Sequence, residues 1–91
     1  MNPASVALLP RGVRLHWDRV RETHVLLAPE RALMLDDVGH AILSRLDGRT
    51  CGALVQGLAE DFGATPEDVG PDVAEFLGGL VRERLVDLTD G

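Results

Sequence analysis

The chain has 91 residues, 45% of them apolar, a net charge of −6 at pH 7 and a single cysteine. That length is enough for one small domain with its own core, and the apolar content argues against global disorder. An internal disulfide is excluded, no apolar run is long enough to cross a bilayer, and the N-terminus lacks the pattern of a signal peptide, so a cytoplasmic protein away from membranes is expected.

Charge is uneven along the chain. Residues 1–35 hold five Arg against three acids, a balance of +2, and residues 36–91 hold four Arg against twelve acids, a balance of −8. Most of these acids read as solvated helix faces. Their concentration in the second half disfavours nucleic acid, since phosphate binding needs a basic face, and suits a partly basic peptide or protein partner.

Residues 1–7 are expected to be a loose terminus, as chain ends are unless docked. Arg11-Gly12 forms a bend. Val13, Leu15 and Trp17 then alternate with Arg14, His16 and Asp18, the period of a half-buried strand. A turn follows, and residues 21–27 read as a second strand, with Val25 and Leu27 on one face and His24 and Leu26 on the other. Ala28-Pro29-Glu30-Arg31 suits a type I turn, because proline presets the backbone angle at its second position. Ala32, Leu33, Met34 and Leu35 alternate as a third strand.

At Asp36 the period changes to helical, with Val38, Ala41, Ile42 and Leu46 on one stripe. Asp36 is placed to cap that helix, Asp37 complements its dipole, and Asp47-Gly48 ends it. Thr50 caps a second helix over residues 51–62, whose apolar stripe is Leu54, Val55, Leu58, Ala59 and Phe62; Gly63 stops it. Thr65-Pro66-Glu67-Asp68 has the make-up of another helix start. Gly70-Pro71 interrupts it, since a proline removes a helical hydrogen bond. The expectation is a short turn at 66–69, then a helix over 71–84 burying Val73, Phe76, Leu77, Leu80 and Val81. Leu85, Val86 and Leu88 finish as an extended segment.

Chemistry-bearing residues do not assemble into a catalytic set. His16, His24 and His40 fall in three elements without short ligand spacing, and read as exposed side chains, not as a metal site. Cys51 near a helix start could have a lowered pKa, but a quiet structural thiol is the better reading. Asp36-Asp37 is accounted for by capping, Ser5 and Ser44 have no adjacent base, and the glycines do not form a phosphate loop. Trp17 reads as an anchor of the sheet. No enzyme, metal or cofactor is expected.

Three antiparallel strands followed by three helices, two of them joined by a short turn, give an α+β fold that resembles a winged helix-turn-helix. Within that layout Arg11-Gly12-Val13-Arg14-Leu15, Trp17-Asp18, Pro29-Glu30, Leu33-x-Leu35, Ala41-Ile42-Leu43, Asp47-Gly48 and Asp72-Val73-x-x-Phe76-Leu77-x-x-Leu80 resemble the PqqD family of pyrroloquinoline quinone biosynthesis. The resemblance covers roughly residues 8–88 of the chain. One departure is Arg84-Leu85, where the family often has Gly-Trp.

The resemblance implies a RiPP recognition element: a non-enzymatic peptide chaperone that binds the precursor peptide PqqA. It would present that peptide to PqqE, a radical S-adenosylmethionine enzyme that crosslinks a Glu and a Tyr of the peptide. Such domains take the leader peptide as an extra strand. Carried over, the edge is Arg31, Ala32, Leu33, Met34 and Leu35, and the facing helix offers Asp72, Glu75, Phe76, Gly79 and Leu80. Of Ala32 and Met34, one is expected to turn its N–H outward. Gly78-Gly79 is costly inside a helix, by about 1 kcal/mol per Gly against Ala. Two explanations stand side by side, close approach of a partner or close packing against the sheet.

Two rivals remain: a recognition domain for another modified peptide, and a winged-helix DNA-binding protein. Against the latter, the last helix holds Asp72, Glu75 and Glu83 beside Arg82 and Arg84. An open sheet edge also permits a homodimer, and contact with the quinone itself is left open.

Overall fold

Alternating apolar residues build a sheet that turns one face to the aliphatic core. The computed structural model describes residues 1–89. In chain order the elements are β1 (Ala7–Leu8), β2 (Arg14–Asp18), β3 (Thr23–Ala28), β4 (Arg31–Met34), α1 (Asp37–Leu43), α2 (Cys51–Phe62), α3 (Pro66–Arg82) and β5 (Asp87–Leu88). β2, β3 and β4 form an antiparallel sheet in that order, so β2 and β4 are its edges. Leu15, Leu26 and Leu33 share one rung. All three contact the core, and Leu26 is fully buried in it. His16, Val25 and Met34 share the next rung, on the opposite face.

The second strand begins at Thr23, two residues later than the alternation suggests. An Asp18-centred turn holds the chain until then: Asp18 Oδ1 accepts from the Val20 and Arg21 amides at 2.9 and 3.1 Å. Asp36 caps α1 as expected, accepting from the Gly39 amide at 2.7 Å. The helix stops at Leu43, however, four residues short of Asp47. The Arg45 and Leu46 amides bond back to Ile42 and Leu43, three residues away, which tightens the last turn and ends the α ladder. The Arg45 guanidinium then satisfies the Ala41 carbonyl at 2.8 Å and reaches Asp61 of α2.

Thr50 caps α2 through the Ala53 amide at 3.2 Å, and Gly63 closes it in the left-handed region at φ 64°. Phe62 departs from the expected stripe: it is 53% exposed. α3 corrects a second expectation. It runs unbroken from Pro66 to Arg82 with Pro71 inside it, capped by Thr65. The preceding Gly70 has no Cβ for the proline ring to strike. The carbonyl deprived of a partner belongs to Glu67, which is exposed and open to water.

The N-terminal stretch is packed where the sequence reading expects it to be loose. The first amides of α2 need acceptors. Two of them find these in the arm, Gly52 donating to the Pro3 carbonyl at 2.9 Å and Cys51 to the Ser5 carbonyl at 2.7 Å. Ser5 and Ala7 are buried, and β1 pairs antiparallel with β5, a ladder that the sequence pattern does not disclose. The core beneath is aliphatic, built from Leu26, Ile42, Leu54, Leu58, Leu77 and Val86 among others.

Candidate functional site

β4 is an edge strand, and its hydrogen bonds decide which residues are free. The Leu35 amide donates to the His24 carbonyl at 2.9 Å. In an antiparallel ladder every second residue faces the same neighbour. Leu33 and Arg31 therefore also turn their backbone groups to β3. Ala32 and Met34, two apart, both turn theirs outward, where one of the two was expected to. Both are exposed, Met34 at 65%.

α3 lies alongside. Asp72, Glu75, Phe76, Gly79 and Glu83 recur at helical spacing on one stripe. At the hairpin end, Arg31 Nη1 meets Glu83 Oε1 at 3.0 Å and ties β4 to the end of α3. At the other end α1 abuts α3: a Cβ added at Gly39 would stand 3.1 Å from Asp36 Oδ1 and 3.3 Å from Phe76 Cζ. An open pocket lies beside each end. One, of about 270 Å³, has Asp36, Val38, Phe62, Asp72 and Phe76 in its lining. The other, of about 360 Å³, is formed around Arg11, Pro29, Arg31 and Arg84. A third, of about 390 Å³, sits away from the edge under Met1 and Pro3.

The ten residues expected at the site are thus not equivalent. Ala32 and Met34 offer free backbone, and Arg31 is exposed but ion-paired. Asp72 and Glu75 are exposed, while Leu33, Phe76 and Gly79 are half-buried. Leu35 and Leu80 are buried in the core. Gly78 and Gly79 admit a clear assignment. A Cβ there would meet no atom of the sheet within 4 Å, the nearest contacts being the mobile end of Arg82 at 3.6 and 3.9 Å. Packing against the sheet therefore does not require them. Asp36, Val38 and Phe62 line the first pocket and were not named among the expected site residues. The available signal was Phe62 itself, an aromatic closing an apolar stripe right at a helix end.

Other groups lie apart from this groove. His24 and His40, read from sequence as separate exposed side chains, stack with ring centroids 3.6 Å apart, and Trp17 meets His24 edge-on at 4.8 Å. Burial, and then the neighbouring His24, lower the His40 pKa, with Asp37 opposing. Cys51 is buried, and burial raises its thiol pKa where a helix start alone would lower it. Among the described residues no group of three or more potential metal ligands forms.

The α+β fold, a three-stranded antiparallel sheet with three helices, is shared with a solved structure described as a RiPP recognition element. The fold matches the solution NMR structure of the PqqD truncation of Methylobacterium extorquens PqqCD, described as a functional, stand-alone element of that kind. The TM-score is 0.77 at 44% identity, covering 90% of this chain and 88% of that one. The crystal structure of PqqD from Xanthomonas campestris matches with a TM-score of 0.58 at 41% identity, over 85% and 87% of the two chains. Residues 23–86 match the family model of coenzyme PQQ synthesis protein D. A PqqA binding protein of Rhizobium meliloti is 44% identical over 86 residues, covering 93% of this chain and 88% of its own. The bifunctional coenzyme PQQ synthesis protein C/D of Methylorubrum extorquens is also 44% identical, and there the match spans 23% of the longer protein. The chain belongs to the PqqD family.

Proposed function

We propose that this domain binds the precursor peptide PqqA as an added strand along β4 and holds it for the radical S-adenosylmethionine enzyme PqqE. It acts as a binding module, not as a catalyst. The observation that carries the reading is the pair of outward-facing backbone positions at Ala32 and Met34 on the exposed edge of β4, a strand that the Arg31–Glu83 ion pair ties to the end of α3. The names of its relatives support the choice of peptide.

The chemistry is that of strand addition. Two residues present two N–H and two C=O groups. At about 0.5–1.5 kcal/mol net per hydrogen bond, the four yield about 2–6 kcal/mol. Micromolar binding needs about 8 kcal/mol, so side-chain contacts must supply the remainder and also the selectivity. A segment held as a strand leaves the rest of the peptide outside the groove, free to enter an enzyme.

Amide chemical-shift mapping with synthetic PqqA tests the reading. Perturbations are expected on residues 31–36 and along 72–80. Clustering on β2, or on α2 without the β4 edge, would show that the peptide binds elsewhere.

A further inference from the structure

The chain contains two phenylalanines, and both line the pocket at the Asp36 end of the groove. Neither belongs to the fully buried set, which is made of Leu, Ile, Val and Cys. Phe62 lies one turn beyond buried Leu58 on the stripe that faces the core, yet it is 53% exposed, as is Val38 in the first turn of α1. Single exposed apolar residues need no explanation. These two differ because they converge on one concavity with Val69 and Phe76. Its volume of about 270 Å³ falls just below the range of about 300–1,000 Å³ usual for small-molecule sites, and suits one large side chain.

Charge narrows the occupant. The ionisable groups of the lining are Asp36 and Asp72, both acidic, and no lining residue is cationic. Asp36 Oδ1 is engaged by the Gly39 amide. Among the described residues Asp72 enters none of the ion pairs. Position narrows it further. Met34 is the last residue of β4 with outward backbone, and Asp36 follows two places on. The first lining residue of the pocket, Asp36, therefore lies about 7 Å or less from Met34, two residues at about 3.3 Å each.

We infer that this pocket is a side-chain specificity subsite. It takes one large apolar side chain of the peptide, from the residues just past the added strand, and pairs a neighbouring Lys or Arg of the peptide with Asp72. This rests on the peptide-binding function proposed above and extends it from the β4 edge to α1 and the end of α2.

Calorimetric titration of the intact chain with synthetic PqqA tests it. The protein variants are Phe62→Ala, Val38→Ala, Asp72→Asn and, as a control on the groove, Met34→Pro, each checked for folding by circular dichroism. Phe62→Ala should weaken binding at least tenfold, and Asp72→Asn should flatten its salt dependence. Replacing the large apolar residues of PqqA one at a time by Ala should reveal one position whose loss matches that of Phe62→Ala and adds nothing to it in the double variant. If Phe62→Ala unfolds, Val38→Ala, on the exposed side of α1, carries the same comparison. Wild-type affinity in Phe62→Ala and Val38→Ala, with binding lost in Met34→Pro, overturns the subsite and leaves the groove standing. Absence of PqqA binding by the wild-type chain removes both. A shift from dimer to monomer in Phe62→Ala at unchanged peptide affinity would make the occupant a second copy and overturn the inference.

Discussion

Proline at Met34 isolates the edge of β4 from the fold beneath it. The Met34 N–H faces away from β3, as shown by the Leu35 bond to His24 on the alternate position. Met34→Pro therefore removes no ladder bond, and Leu33 before it is already in the extended conformation that a following proline favours. Stability should change by less than about 1 kcal/mol. The lost donor accounts for about 0.5–1.5 kcal/mol of peptide binding, and the ring obstructs the approaching strand as well. Together they should weaken PqqA binding at least tenfold. Leu33→Pro is the counterpart. Its N–H faces β3, so the substitution leaves a ladder acceptor unpaired, at about 1–3 kcal/mol, and disturbs the rung that joins Leu26 to Leu33. Urea denaturation and calorimetric titration of both variants give the comparison. Equal destabilisation by the two prolines would refute the assigned orientation of β4. Wild-type affinity in a folded Met34→Pro would refute strand addition at this edge.

Removing the α1 cap with Asp36→Ala should lower stability by about 1 kcal/mol, read as a fall in the urea midpoint; an unchanged midpoint would mean the 2.7 Å bond to Gly39 contributes nothing. Arg84 follows the end of α3 with φ at 61°, a conformation that costs a side-chain-bearing residue about 1–2 kcal/mol. After the added entropy of an unfolded glycine is subtracted, Arg84→Gly should raise stability by about 0.5–1 kcal/mol, and a lowered midpoint would contradict this. The His40 pKa is depressed below its ordinary value of 6.5, so protonation favours the unfolded chain. Stability should be intact above that value and fall as pH drops below it. His40→Gln should flatten that slope between pH 7.5 and 5.5, measured by urea midpoints. Asp47, held at about 2 by Arg49, acts in a separate and more acidic window.

The sequence by itself determined the features whose causes lie within a few residues. Asp36, Thr50 and Thr65 each accept from an amide three residues on, so the caps of all three helices were legible, although Gly70-Pro71 led the third helix to be expected from residue 71 and not from Pro66. The bounds of α2 were read correctly because its cap, its apolar period and Gly63 are all local signals. The family was legible through a resemblance carried by similarly short stretches, and the expected third strand is an edge of the sheet. Tertiary structure decided whatever depends on partners far apart in the chain. The arm over residues 3–8 is ordered by the unpaired amides at the start of α2 and by β5, with Val6 and Thr89 bonded across 83 positions. Nothing within either segment encodes that docking. Pro71 sits inside α3 because Gly70 relieves the ring and Glu67 faces water, a balance that proline propensity alone does not express. His24 and His40 meet only once α1 folds against the sheet. Phe62 has the period of a buried residue, but periodicity registers which face of a helix a side chain occupies and not whether a neighbour covers that end of it. Its exposure is set by the tertiary arrangement, which leaves it in an open pocket shared with Val38 of α1 and with Asp72 and Phe76 of α3.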